Sequence, residues 1–248
     1  MAQRVAGEQY ESITGQLFEI ARQLRQKSGY PHDPETLKLF LQRAVEGRFI
    51  EENNTVTSSA KVLGGQLLSW VGFYERYFGL VIDPWGVDVP EYVGYLDALS
   101  LRLIVVAQGL TLNRVYDACA REFPCFRYVD DLDAGAPVND RTPTESYAIW
   151  VRDRVEADEE NANLSAEDLN VKRIKCQTIM ERMLHELKYF SETGEHLDVT
   201  NWTLCSGSRC SDGSVPGAGW SSGGREFRVG GYDPRDRYAD LRARAGVR

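Results

Sequence analysis

The sequence predicts an α+β fold, with a helical N-terminal region over residues 1–77 and a mixed domain over 78–248. Three observations carry this reading. Apolar residues recur at spacings of three and four through 1–77, as helices with one buried face require. From about residue 78, short apolar runs bounded by Gly and Pro alternate with helical stretches. The C-terminal segment, Asn201–Arg248, then changes composition. The last Lys is Lys188, the last Gln is Gln177 and the last Met is Met183, and from Thr203 onward Arg alone supplies positive charge.

The elements follow in order. Residues 8–28 carry Leu17, Ile20, Ala21 and Leu24 on one helical face, and Gly29 and Pro31 end the run. Asp33 caps a second helix with Pro34 at its first position. Residues 51–60, EENNTVTSSA, read as a polar linker. A third helix over 62–77 presents Leu63, Leu67, Leu68, Trp70, Val71 and Tyr74. These helices carry mixed charge and no basic recognition face, so they read as a packing or docking module rather than a DNA reader.

Residues 79–83, GLVID, have strand character, and Pro84, Gly86 and Pro90 mark loops. A helix is expected over 91–99, a strand over 101–107, and a helix capped by Thr111. Tyr128-Val129-Asp130-Asp131 matches the YxDD pattern of reverse transcriptases, in which paired carboxylates hold divalent metal. Loop composition follows here where that hairpin needs an apolar strand, so the reading is a solvated acidic loop. Tyr147–Arg152 reads as a strand, and the charge run Glu156–Glu160 as a solvated face. Ser165 with Asp168 is a capping signal. The clearest helix spans 176–192, with Ile179, Met183, Leu184, Leu187 and Phe190 on one face, Gly194 as its stop and His185 as a packed core residue. HLDVTNWTL is a strand candidate leading into the C-terminal segment. There TNWTLCSG, SVPGAGW, REFRVGGY and DLRARAGV read as four short strands of a small antiparallel sheet, with turn signals at 212–213, 221–224 and 233–234. Gly217, Gly219, Gly230 and Gly231 within those strands call for close backbone approach, or mark positions whose side chains folding does not need.

Composition excludes several functions. A net charge of −8 argues against broad nucleic-acid binding, which needs a basic face. No stretch has the apolar length for membrane insertion, and MAQRVAGEQYES lacks an apolar signal core. Cytoplasmic synthesis is expected, with function there, in a virion or at a cell surface. The five Cys and three His show no paired ligand spacing, so neither metal nor cofactor is expected. Cys205 and Cys210 are expected to be free thiols, a disulfide between them staying open.

The pattern CSGSR-xx-DG-x-VP-xxx-W, followed by F-x-V-xx-Y-x-P-xx-R-xxx-LR-x-R, resembles the C-terminal variable region of proteins diversified by diversity-generating retroelements. The order of elements from residue 147 onward is similar to the C-type-lectin-like fold. The resemblance implies a stable frame whose displayed residues are changed chiefly at Asn-type codons, which never become Lys, Glu, Gln, Met or Trp. Residues 203–247 would be the variable ligand-binding region. The frame it implies is Trp202, Leu204, Arg209, Val215, Pro216, Trp220, Phe227, Val229, Tyr232, Pro234, Leu241 and Arg242. The displayed positions are Cys210, Ser211, Ser214, Gly217, Ala218, Gly219, Ser221, Arg228, Gly230, Gly231, Asp236, Tyr238 and Ala239. Small residues with Tyr and Arg are also the palette of adaptable binding surfaces. The Glu-Pro-Asn, Gln-Pro-Asp and Trp-Asn-Asp motifs of calcium-dependent sugar binders are missing, so calcium-mediated sugar binding is not expected. The expected function is binding of a protein or glycan, not catalysis. The alternatives are an assembly component of a virus particle, a thiol enzyme at Cys205 and Cys210, or a metal enzyme at Asp130 and Asp131.

Overall fold

The computed structural model describes residues 56–90 and 101–246. The helices expected over 8–28, from Asp33 and over 91–99 lie outside the described residues. One compact unit runs from Ser59 to Arg248. Its described residues are mixed α/β, with several helices and three small sheets.

Helix α1, Val56–Phe78, starts inside the stretch expected to be linker. Its downstream turns pack into the core, and propagation onto a packed helix adds one hydrogen bond per residue, which favours extension. Trp70, Phe73, Tyr74 and Tyr77 are buried in the same cluster as the strands that follow, so a boundary at 77/78 would cut through packed structure. Gly79, at φ 61, ends the helix and donates its N–H to Glu75 O at 3.1 Å. No strand forms over 79–83: Ile82 is buried, Val81 is exposed, and the segment turns through a short 3₁₀ helix at Pro84–Gly86.

Strand β1, Leu101–Val106, pairs antiparallel with β4, Tyr147–Arg152, from Leu101↔Arg152 to Val106↔Tyr147. α1 covers the outer edge of β1. Gln66 Nε2, Trp70 Nε1 and Tyr74 Oη donate to the carbonyls of Leu101, Leu103 and Val105 at 3.2, 2.9 and 2.7 Å. The match is geometric. Four helical residues rise about 6.0 Å and two strand residues about 6.6 Å, so side chains at i, i+4 and i+8 meet alternate carbonyls. An edge that would otherwise template foreign pairing is thereby closed.

Thr111 caps α2, Leu112–Glu122, as its sequence predicts, accepting from Arg114 N–H. Strand β2 is Cys125–Arg127, α3 is Leu132–Gly135 and β3 is Val138–Asn139. Ser165 and Asp168 form a full capping box on α4, Ala166–Val171. Helix α5, Ile179–Thr193, has a second capping box from Thr178 and Glu181, and Gly194 at φ 74 stops it. Ile179, Met183, Leu184 and Leu187 of its apolar face are buried as expected and Phe190 is half-buried, while Glu181, Arg182, His185, Glu186 and Lys188 are buried as well. α5 is therefore a central helix, packed against α2, β1 and the C-terminal sheet. His185 is a packed core residue, and burial pushes its imidazole well below the ordinary range.

The charges inside are paired. Glu181 accepts both Arg141 Nε and Nη2, at 2.6 and 2.8 Å, and Tyr147 Oη at 3.0 Å. Arg182 pairs with Glu186 and Asp198, each at 2.8 Å, and Asp198 also takes Arg244 at 2.7 Å. Arg244 donates to the carbonyls of Arg154 and Val155 as well. The Glu156–Glu160 run is more than a solvated face. Glu156 accepts the N–H groups of Val199, Thr200 and Asn201, and buried Asp158 accepts Ala245 N–H and pairs with Arg152. Only Glu159 and Glu160 of that run are exposed.

The C-terminal strands are β5 (Trp202–Leu204), β6 (Ser208–Arg209), β7 (Val215–Ser221), β8 (Glu226–Tyr232) and β9 (Leu241–Arg242). They do not form a purely antiparallel meander. A five-stranded sheet has the order β2-β8-β7-β5-β9. β5·β7 and β7·β8 are antiparallel, whereas β2·β8 and β5·β9 are parallel. The third sheet pairs β3 with β6. One face of the large sheet sends Ala218, Phe227 and Val229 into the main core. The other sends Leu204, Val215 and Leu241 into a smaller core with Ala166, Leu169 and Cys176, against which Tyr232 packs.

Candidate functional site

The end of this sheet opens into a cleft of about 580 Å³. Its floor is the close of β8, Val229–Tyr232, with Leu132 and Ile179 beneath. One wall is the turn Cys210–Ser214 and the other is the segment from Tyr128 through Val129 to Gly135. The turn is built locally. Gly213 sits at φ 87, Gly213 N–H donates to Cys210 O, and Asp212 Oδ1 accepts Ser214 N–H and Oγ–H at 2.9 and 2.7 Å. Ser211 N–H donates to Gly135 O at 2.9 Å, which ties the two walls together.

Of the YVDD aspartates Asp131 is a structural cap, and so is Asp133 just beyond the stretch. Asp131 caps α3 through Ala134 N–H and takes Asn113 Nδ2 at 2.7 Å, while Asp133 accepts Leu112 N–H at 2.6 Å at the start of α2. Both stay exposed, as an acidic loop should. Among the described residues no group of three or more His, Cys, Asp or Glu side chains is placed to hold a metal ion.

The expected displayed residues fall into three sets. Cys210, Ser211, Ser214, Gly230 and Gly231 line the cleft. Arg228, Asp236, Tyr238 and Ala239 are partly or fully exposed nearby in sequence, and Ser221 serves the turn after β7 by accepting Gly224 N–H. Arg228 pairs with Glu226 at 2.7 Å and lies 5.2 Å over the Phe126 ring. Asp236 accepts Asp233 N–H, and the Tyr238 ring stands 6.4 Å from that of Tyr232.

Gly217, Ala218 and Gly219 are buried and are not displayed. A Cβ on Gly217 would lie 2.4 Å from the Tyr232 ring and 3.3 Å from Thr203 O. A Cβ on Gly219 would lie 3.1 Å from the Trp202 ring and 3.2 Å from Asn201 O. Ala218 is fully buried in the main core. All three belong to the frame: a ring and a backbone carbonyl rest directly on Gly217 and on Gly219, and the Ala218 methyl is packed in the core. Among the expected frame residues, Leu204, Val215, Phe227, Val229 and Leu241 are buried.

No family model, curated protein or solved structure matches the chain. What the site does must therefore be argued from its chemistry. Its second wall escaped the sequence reading. Tyr128 is 70% exposed and Val129 is also exposed, both upstream of the segment expected to vary. The signal was present: aromatic residues in FRYV directly before an acidic stretch have no local reason to be buried. Tyr128 rests over Gly230, whose Cβ would come within 2.7 Å of the ring.

The cleft is acidic and apolar. Its lining includes Asp212 and Asp233 and no Lys, Arg or His. Hydrogen bonds from the Ser214 side chain and N–H hold the Asp212 carboxyl below its usual range. The Arg235 side chain and N–H do the same for Asp233. All five cysteines are free. Burial raises the thiols of Cys205 and Cys210 above the ordinary range, so neither is a ready thiolate nucleophile at neutral pH. A second cavity of about 430 Å³ near Lys175 and Arg209, and a third of about 410 Å³ near Arg154 and Glu160, draw on none of the expected displayed residues. Among the described residues no helix is long and apolar enough to cross a membrane.

Proposed function

We propose that the chain is a ligand-binding protein of the kind diversified by a diversity-generating retroelement, built on a C-type-lectin-like frame. One observation carries the reading: Cys210, Ser211, Ser214, Gly230 and Gly231, singled out by their place between frame residues, converge on one cleft, while the frame residues Val215, Phe227 and Val229 between them are buried. Substitutions at such exposed positions move stability little, so a packed frame lets ligand choice change without unfolding. The displayed set is Cys210, Ser211, Ser214, Ser221, Arg228, Gly230, Gly231, Asp236, Tyr238 and Ala239, without Gly217, Ala218 and Gly219. Tyr128 and Val129 supply a wall outside the diversified segment. The ligand class is a protein or glycan, met in the cytoplasm, in a virion or at a cell surface. The DNA around the gene tests this reading. A nearby imperfect repeat of the 3′ end, differing mainly at adenines and accompanied by a reverse transcriptase gene, is the expected result. Absence of both removes the reading's main support.

A further inference from the structure

Building on that binding role, we propose that the cleft takes a basic side chain, an arginine or lysine presented by a protein partner, as its anchoring group. Charge complementarity argues first. Asp212 and Asp233 line the cleft and no cationic side chain does, so an anionic ligand would meet repulsion and a cation attraction. Asp233 already pairs with Arg235, but that pair is exposed, at 48% and 75%, and an incoming cation displaces such a pair at small cost.

The walls argue second. Tyr128 lies with its ring over Gly230, and Tyr232 with its ring over Gly217. Glycine at both places lets each ring approach the sheet backbone, and Tyr128 keeps most of its surface open to a ligand. Aromatic faces attract guanidinium and ammonium groups. The same chemistry is used nearby, where Arg228 sits 5.2 Å over Phe126 and Arg127 sits 4.4 Å over Tyr116.

The floor argues third. Leu132, Ile179 and Val229 are apolar, which suits the methylene stem of a long basic side chain while its head stays among carboxylates and tyrosines. At about 580 Å³ the cleft holds such a side chain with its flanking backbone, and it is far larger than a metal ion needs.

The test uses the full chain, isotope-labelled for NMR, and two probes: acetyl-Gly-Arg-Gly-amide and its citrulline counterpart, which keeps the shape and loses the charge. The arginine peptide is expected to shift the amides of Ser211, Gly230 and Gly231 and to bind at least about fivefold more tightly than the citrulline peptide. Tyr128→Ala, and Asp212→Asn with Asp233→Asn, are each expected to weaken it about threefold to tenfold at an unchanged melting temperature. Equal affinity for citrulline, shifts elsewhere, no binding at millimolar peptide, or stronger binding of inorganic phosphate or an oligosaccharide would overturn the assignment. Two results separate it from the reading beneath it. If the arginine peptide binds as described and no adenine-varied repeat accompanies the gene, the diversification reading fails and the cleft assignment stands. If the repeat is present and a captured partner is indifferent to Tyr128, Asp212 and Asp233, the cleft assignment fails alone.

Discussion

Gly217 and Gly230 stand opposite each other across β7 and β8, and each lies under a tyrosine ring. They nevertheless predict opposite outcomes. In Gly217→Ala the new methyl would meet the Tyr232 ring at 2.4 Å, with Thr203 O behind it at 3.3 Å. Tyr232 is partly buried against the smaller core, so moving its ring aside gives up packing there. Overpacking of this kind costs about 1–3 kcal/mol, or about 2–12 °C of melting temperature for a chain of this size. In Gly230→Ala the methyl would meet the Tyr128 ring at 2.7 Å, but that ring is 70% exposed and swings off into solvent. Its effect on stability should stay within about 0.5 kcal/mol. Near-UV circular dichroism melts of the two variants and the parent measure the contrast. Equal losses, or a larger loss for Gly230→Ala, would refute the assignment of Gly217 to the frame and Gly230 to the display.

Three further outcomes follow from the packing. Burial alone would raise the Asp198 carboxyl, yet Arg244 and Arg182 outweigh it and hold it below the usual range. A depressed carboxylate contributes stability above its unfolded value, near pH 4, and loses that contribution as pH falls through the lower folded value. Asp198→Asn should therefore cost about 3–5 kcal/mol at neutral pH and flatten the acid limb of the urea-midpoint-versus-pH curve; an unchanged limb contradicts this. Tyr74→Phe strips a donor from Val105 O and an acceptor from Ala107 N–H, so it should cost about 1–3 kcal/mol and speed amide exchange at Ala107. Iodoacetamide on native protein should label half-buried Cys210 before Cys119, Cys176 and Cys205, which are buried with raised thiols; mass spectrometry showing Cys205 modified first would contradict it.

Much of the fold could be read from local pattern. α2 and α5 carry a 3.6-residue apolar repeat, and the caps at Thr111 and Ser165 and the stop at Gly194 sit where side-chain chemistry requires. β1 and β4 are apolar runs of strand length. What could not be read depends on distant partners. Glu181, Arg182 and Glu186 look like the solvent side of a helix until Arg141, Asp198 and His196 arrive from elsewhere in the chain to pair with them. The parallel pairings of β2 with β8 and β5 with β9 join segments far apart in sequence, and strand composition carries no record of them. At the site, the turn at Cys210–Ser214 and the exposed end of β8 were legible from turn residues and frame spacing. The glycines were ambiguous, because the same residue serves display and close approach. Only the Tyr232 and Trp202 rings, which fold back over Gly217 and Gly219, decide between the two.

The central claim is the division of the C-terminal segment into frame and display. Saturation mutagenesis over 201–246, read by protease resistance of the folded chain, tests it most directly. Broad tolerance is predicted at Ser211, Ser214, Gly231, Tyr238 and Ala239, which are exposed or half-exposed, and sharp intolerance at Val215, Gly217, Ala218, Phe227, Val229 and Leu241, which are buried. Equal sensitivity in both sets, or tolerance in the buried set, would contradict it.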